Sequence, residues 1–164
     1  MRPVKPCIAA VALLPLALAR ITHANAPAGR YTMPTPGVVY DTKTKLTWQQ
    51  AVPDSSWYTW GSPTQPGTAQ NYCAGLTLGG AGAWRLPTVS ELQTLVDYTQ
   101  TGLLVDGGAA PMIDTTFFPN TQPAVFWSAT PFAGAEGFAW GVNFTFGNSN
   151  GYNTGPANYV RCVR

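Results

Sequence analysis

Few residues in this chain offer chemistry, and they fall into three groups. Cys73 and Cys162 are sulfur ligands or a disulfide; Asp54, Asp106, Asp114 and Glu136 are scattered carboxylates; Trp57, Tyr58 and Trp60 crowd one short loop. Two carboxylates about 5–9 Å apart in a cleft hydrolyse glycosidic bonds, but no spacing here selects a pair, and each acid also suits a turn. The aromatic loop, 53–66, has two readings. Its rings either stack on a sugar, which needs little charge, or tuck the loop onto the core. A second loop, 147–155, offers Asn148, Asn150, Tyr152 and Asn153 as hydrogen-bonding partners for the same ligand.

The compartment decides what the sulfurs do. Residues 1–24 read as a secretory signal: Arg2 and Lys5 open it, an apolar run follows from Cys7 to Ala19, and Ala24-Asn25-Ala26 offers a cleavage site. The run contains Pro15 and is shorter than the roughly 20 apolar residues that span a bilayer. Export leaves two cysteines in an oxidising compartment, which favours a Cys73–Cys162 bridge over a metal or redox site, two free buried thiols being the alternative. In the chain-entropy model such a long closed loop is worth about 4–5 kcal/mol.

Removal of 1–24 also takes Arg2, Lys5, Arg20 and the single histidine, His23. Six basic residues then face seven acidic ones, a formal charge of −1 in place of +2. Without imidazole the chain has no Ser-His or Cys-His nucleophile and lacks the commonest transition-metal ligand. Net charge and export together disfavour nucleic acid. No cofactor or metal site is expected.

The elements that position these residues follow from pattern. Only 10% of the 164 residues are charged, against about 25% in an ordinary globular chain, whereas Gly (17) and Pro (15) are plentiful. That composition predicts a loop-rich domain with short strands. Residues 25–36 read as a Pro-rich linker or lead-in arm, and 37–164 as the domain. A hairpin is predicted from Val38-Val39-Tyr40 and Leu46-Thr47-Trp48-Gln49. A first helix spans 68–78, with Ala69, Tyr72, Cys73 and Leu76 on one face.

The second helix is predicted from Thr88 to about Tyr98. Thr88 and Glu91 form a capping box, and Pro87 keeps Leu86 extended. Ile113, Phe117 and Phe118 are expected core anchors in an irregular stretch. Three C-terminal strands, 125–129, 138–146 and 159–164, alternate in hydropathy. The middle one is central, with Phe138, Trp140, Val142, Phe144 and Phe146 on one face.

Ordered motifs run through 38–164: Asp41-Thr42-x-Thr44-x-Leu46-Thr47-Trp48-Gln49, Tyr72-Cys73, Leu78-Gly79-Gly80, Trp84-Arg85-Leu86-Pro87-Thr88 with Glu91-Leu92, Ile113-Asp114, Phe117-Phe118-Pro119-Asn120-Thr121, Phe126-Trp127-Ser128-Ala129-Thr130, Ala139-Trp140 and Val160-Arg161-Cys162-Val163-Arg164. In these the chain resembles the bacterial Lcl C-terminal domain family, which also ends a collagen-like surface adhesin. It is similar, more distantly, to the formylglycine-generating and sulfatase-modifying family. Both resemblances imply an α+β, C-type-lectin-like fold: two helices on small antiparallel sheets, with Cys73 and Cys162 at the place of a structural bridge.

The resemblance implies less about activity, because that fold carries unrelated functions. The copper-binding cysteine pair of formylglycine-generating enzymes has no counterpart outside the bridge. Gln122-Pro123-Ala124 and Trp140-Gly141-Val142-Asn143 lack the carboxylates by which calcium-dependent lectins of this fold hold their cation. Binding of sulfated glycosaminoglycans, implied by the adhesin branch, needs a basic patch that Arg30, Lys43, Lys45, Arg85, Arg161 and Arg164 do not supply. The expectation is an exported, non-catalytic binding or adhesion module, in the periplasm, on the surface or outside the cell. Its partner is a glycan or an envelope or surface protein, held by Trp57, Tyr58, Trp60, Asn148, Asn150, Tyr152 and Asn153. A structural envelope component and a carboxylate hydrolase are the alternatives.

Overall fold

The structure is a computed structural model and describes residues 26–52, 58–100 and 108–164. The signal reading of 1–24 therefore lies outside the described residues. Two three-stranded antiparallel sheets carry the fold: β1 (Tyr31–Thr32), β2 (Val38–Asp41) and β3 (Thr47–Gln49) in one, β4 (Val125–Pro131), β5 (Phe138–Asn143) and β6 (Asn148–Asn153) in the other. Two short helices, α1 (Ala69–Ala74) and α2 (Val89–Gln93), lie between them in sequence. The class is α+β.

The arm before residue 37 is more than a linker, because Tyr31 and Thr32 pair with Asp41 and Tyr40 as an edge strand. Arg30 fastens it. Its Nη2 donates to Asp41 Oδ2 at 2.9 Å and to the Thr94 carbonyl at 2.7 Å. The β2–β3 turn is built as expected, with Asp41 Oδ1 accepting from the Lys43 and Thr44 N–H groups and Lys45 taking the left-handed conformation.

Consecutive residues in three strand-like segments enter two different cores. Val39, Phe126 and Val163 join Trp48, Leu92, Ile113, Phe118 and Phe144 in the first. Val38, Trp127 and Cys162, each one position away, join Cys73, Trp84, Leu86 and Val160 in the second. Side chains alternate across a strand, so a segment flanked by apolar layers on both sides reads as a continuous apolar run. The last residues are the seam. Gln49 and Thr47 donate to the carbonyls of Cys162 and Arg164, Val163 exchanges both backbone hydrogen bonds with Arg85, and Tyr159 pairs with Phe126 of β4. Because the partner changes every few residues, 159–164 forms a series of bridges and not the regular strand its alternation predicts.

Both helices are shorter than predicted. Thr68 caps α1 by accepting from the Asn71 N–H, but Gly75 closes it, ahead of Leu76. After α2 the N–H groups of Leu95 and Val96 reach back only three residues, to Leu92 and Gln93, and Asp97 turns away to the Met112 carbonyl. The expected central strand is central, yet it ends at Asn143. Phe144 stays in the core while Phe146 points to solvent, 68% exposed. Residues 148–153, expected as loop, form the edge strand β6, paired from Asn143↔Asn148 to Phe138↔Asn153.

Candidate functional site

The bridge expected between Cys73 and Cys162 is present, with the Cα atoms 5.5 Å apart and a sequence separation of 89. Both residues are fully buried. Gln49 lines the same place: its Oε1 accepts from the Cys162 N–H at 3.1 Å, and its Nε2 donates to the Tyr72 hydroxyl at 2.8 Å. The bridge ties α1 to the terminal seam. The sulfurs are thus spent on structure.

The capping box is also present. Thr88 Oγ1 accepts from the Glu91 N–H at 3.2 Å, and Glu91 Oε2 accepts from the Thr88 N–H at 2.8 Å. The same carboxylate takes a two-pronged donation from Arg85, at 2.7 and 2.8 Å. That guanidinium, opposed in part by burial and helped by the Thr88 N–H, pulls the Glu91 carboxyl down to about 2. Arg85 and Thr88 edge an apolar cleft of about 420 Å³ whose other walls include Trp84, Leu86, Ala74 and Ala129.

The two loops expected to form a binding site meet, but most of their rings face inward. Trp57 lies outside the described residues, as do Asp54 and Asp106. Tyr58 exchanges both backbone hydrogen bonds with Asn158, and the Trp60 N–H donates to the Thr154 carbonyl at 3.3 Å, so the loop borders the end of β6. The Tyr58 ring, however, stacks on Tyr72 at 4.7 Å. The Trp60 indole N–H donates to the Ser128 carbonyl at 2.8 Å, and both rings pack on the second core. For these two the core-tucking alternative holds. Tyr152 packs edge-on against Trp127; burial, against a hydrogen bond from Asn143, raises its hydroxyl pKa.

Asn148, Asn150 and Asn153 remain exposed, with Ser149 between them. The side-chain oxygens of Asn150 and Asn153 accept from the Gly151 and Gly155 N–H groups. Of the candidate acids, Asp114 is buried and accepts from the Thr116 N–H. Glu136 lies exposed in the β4–β5 turn. Among the described residues no three His, Cys, Asp or Glu side chains converge on one point.

Two features escaped the sequence. The first is a pair of exposed rings: Tyr98 and Phe146, each 68% exposed, flank Gly147, and with Met33 they are the large hydrophobic side chains left open among the described residues. The only signal was their place at the end of the predicted helix and at the end of the predicted strand. The second is Arg161, fully buried without a carboxylate. Its Nη1 donates to the Gln49 carbonyl at 2.6 Å and its Nη2 to Thr121 Oγ1 at 2.7 Å, and the guanidinium lies 4.9 Å over the Phe118 ring. Burial pushes its pKa down to about 9, which leaves it cationic at neutral pH. Its position between buried Val160 and buried Cys162 was the available hint.

The site and fold therefore define a disulfide-pinned α+β domain with an amide-rich sheet edge. The model of the Lcl C-terminal domain family matches residues 37–164, and the chain belongs to that family. Neither the curated proteins nor the solved structures contain a match.

Proposed function

We propose that this chain is an exported, non-catalytic binding module with a C-type-lectin-like arrangement of its two sheets, and that it presents its ligand face on the second sheet. Export is supported by the disulfide, since such bridges persist in oxidising compartments. No helix among the described residues is long and apolar enough to cross a membrane.

One observation carries the reading. From Leu86 to Val160 the chain holds Glu91, Asp97, Asp106, Asp114 and Glu136 but no Lys, Arg or His, while β6 exposes Asn148, Ser149, Asn150 and Asn153. Edge strands are ordinarily guarded by charge or proline. This edge is polar, uncharged and open, which suits hydroxyl-rich or backbone-like partners and offers no cation to polyanions such as sulfated glycosaminoglycans or nucleic acid. A glycan is the first expectation. An envelope protein that adds a strand beside β6 is the second, favoured by the outer position of that strand.

A glycan array run beside a pull-down from envelope extracts separates the two. The expected result is retention of an uncharged glycan, weakened by Asn148→Ala with Asn150→Ala. Retention of one envelope protein, lost when a proline replaces Ser149, supports the second reading. A catalogue of sulfated ligands alone overturns both.

A further inference from the structure

We infer that Tyr98 and Phe146 form a stacking subsite for the apolar face of an uncharged pyranose. The inference rests on the chain being a binding module and names where and what it binds.

Tyr98 is exposed and yet fixed. Its hydroxyl donates to the Gly147 carbonyl at 2.7 Å, and Gln93 Nε2 donates both to that hydroxyl at 2.9 Å and to the same carbonyl at 2.8 Å. Gly147 lies buried beneath it. A Cβ there would stand 3.0 Å from Tyr98 Cε1 and 2.8 Å from Val96 Cγ1, so the ring lies directly against bare backbone. Phe146 is the preceding residue, in a turn closed by the Gly147 N–H donating to the Asn143 carbonyl at 2.8 Å. A large ring that loses no further freedom on binding makes stacking inexpensive in entropy.

The surroundings select the ligand. Exposed Asn148, which follows Gly147, offers an amide suited to hydroxyl groups, while both Gln93 N–H groups are spent on fixing Tyr98 and Gly147. The segments that carry them, 91–100 and 143–149, include Glu91 and Asp97 and no base. Arg30, the base that lines the cavity beside Tyr98 and Asp97, is already held by Asp41 and the Thr94 carbonyl, so a sulfated or carboxylated sugar would meet Asp97 with that cation engaged elsewhere. The half-buried Tyr58 and Trp60 offer no equivalent, as their rings are covered by Tyr72 and by the second core.

The test uses the oxidised, ¹⁵N-labelled full chain titrated with chitohexaose, cellohexaose and a heparin hexasaccharide. Amide shifts gathered on Gln93–Tyr98 and Phe146–Asn148 with a neutral hexasaccharide are expected. Tyr98→Ala and Phe146→Ala should each weaken that binding about tenfold, with unchanged shifts in β2 and β5 as the folding control. Tyr98→Phe, which keeps the ring, should weaken it less. Neutral sugar shifts on another face, or binding indifferent to both alanines, overturn the subsite while leaving a binding module. Heparin binding at these rings overturns it as well. Absence of hexasaccharide binding, while the array or pull-down yields another partner, overturns the subsite alone; absence of any partner in every format removes both readings.

Discussion

The Arg161 guanidinium donates to the Gln49 carbonyl at 2.6 Å from a fully buried position with no carboxylate in contact. Neutral acceptors and the face of Phe118 take the place of a counter-ion. A planar fork reaches the Gln49 and Gln50 carbonyls with one nitrogen and Thr121 with the other; an ammonium does not. Arg161→Lys is therefore expected to cost about 2–4 kcal/mol, since hydrogen bonds to charged groups are worth about 1.5–3 kcal/mol each. Urea unfolding of the oxidised proteins checks this, and equal midpoints would refute the clamp.

The bridge next to that clamp closes a span of 89 positions. Cys73→Ala with Cys162→Ala should lower stability by about 4 kcal/mol, with the loss concentrated on the seam that joins the sheets. Hydrogen exchange should then show Gln49, Arg85 and Val163 losing protection before Val142 in the second sheet. Uniform loss across both sheets would mean that the bridge does not act through the seam.

Acid sensitivity has two named sources. Glu91 titrates at about 2 in place of the ordinary 4.5, because of Arg85 first. Asp41 is lowered too: burial alone would raise it, but the Arg30 hydrogen bond and the Lys43 N–H outweigh that. Both folded-state values lie below the unfolded ones, so the stabilisation is complete above about pH 4.5 and is lost as pH falls toward 2. Thermal midpoints should drop through that window. Glu91→Gln should flatten part of the drop, by about 1 kcal/mol at most, as half of the Arg85 side chain is solvent-exposed and the pair is screened. An unchanged profile in Glu91→Gln together with Asp41→Asn would sink the assignment.

What the chain disclosed before folding was largely local. Thr88 and Glu91 stand at capping distance whatever surrounds them, and the Val38–Gln49 hairpin needs only its own turn. Cys73 fell on the buried helical face by period, and the compartment argument supplied its partner. Long-range competition hid the rest. Gly75 closed α1 although Leu76 continued the period, because the local stop outweighs one more apolar position. β6 has no apolar alternation, as an edge strand of Asn-Ser-Asn-Gly-Tyr-Asn owes its structure to pairing with β5. Of the two candidate loops, the first does border the second, at Thr154 and, just beyond it, Asn158, but the inward turn of Tyr58 and Trp60 depends on Tyr72 and Ser128, which only the fold brings near.

That inward turn separates stability from recognition. Trp60→Ala removes a half-buried indole and its hydrogen bond to Ser128, and should destabilise by about 3 kcal/mol while leaving ligand affinity intact at temperatures where the variant is folded. Phe146→Ala should do the reverse, since its ring is mostly in solvent. Denaturant midpoints and binding isotherms for the two variants measure the contrast, and a Trp60→Ala protein that is fully stable but fails to bind would return the site to the first loop.

Gly147 couples the two properties. It has φ +68° and no room for a Cβ, with Val96 and Tyr98 carbons at 2.8 and 3.0 Å. Gly147→Ala must adopt the left-handed conformation at a cost of about 1–2 kcal/mol and displace either the Val96 methyl or the Tyr98 ring. Tyr98 is at the surface and yields more easily than Val96, which packs into the first core. The expected outcome is a modest fall in denaturant midpoint, with the Tyr98 hydroxyl detached from the Gly147 carbonyl and the ring averaged over several orientations. Ring resonances of selectively labelled tyrosine report this directly. An unchanged Tyr98 environment in Gly147→Ala would mean that the glycine is there for its backbone conformation alone.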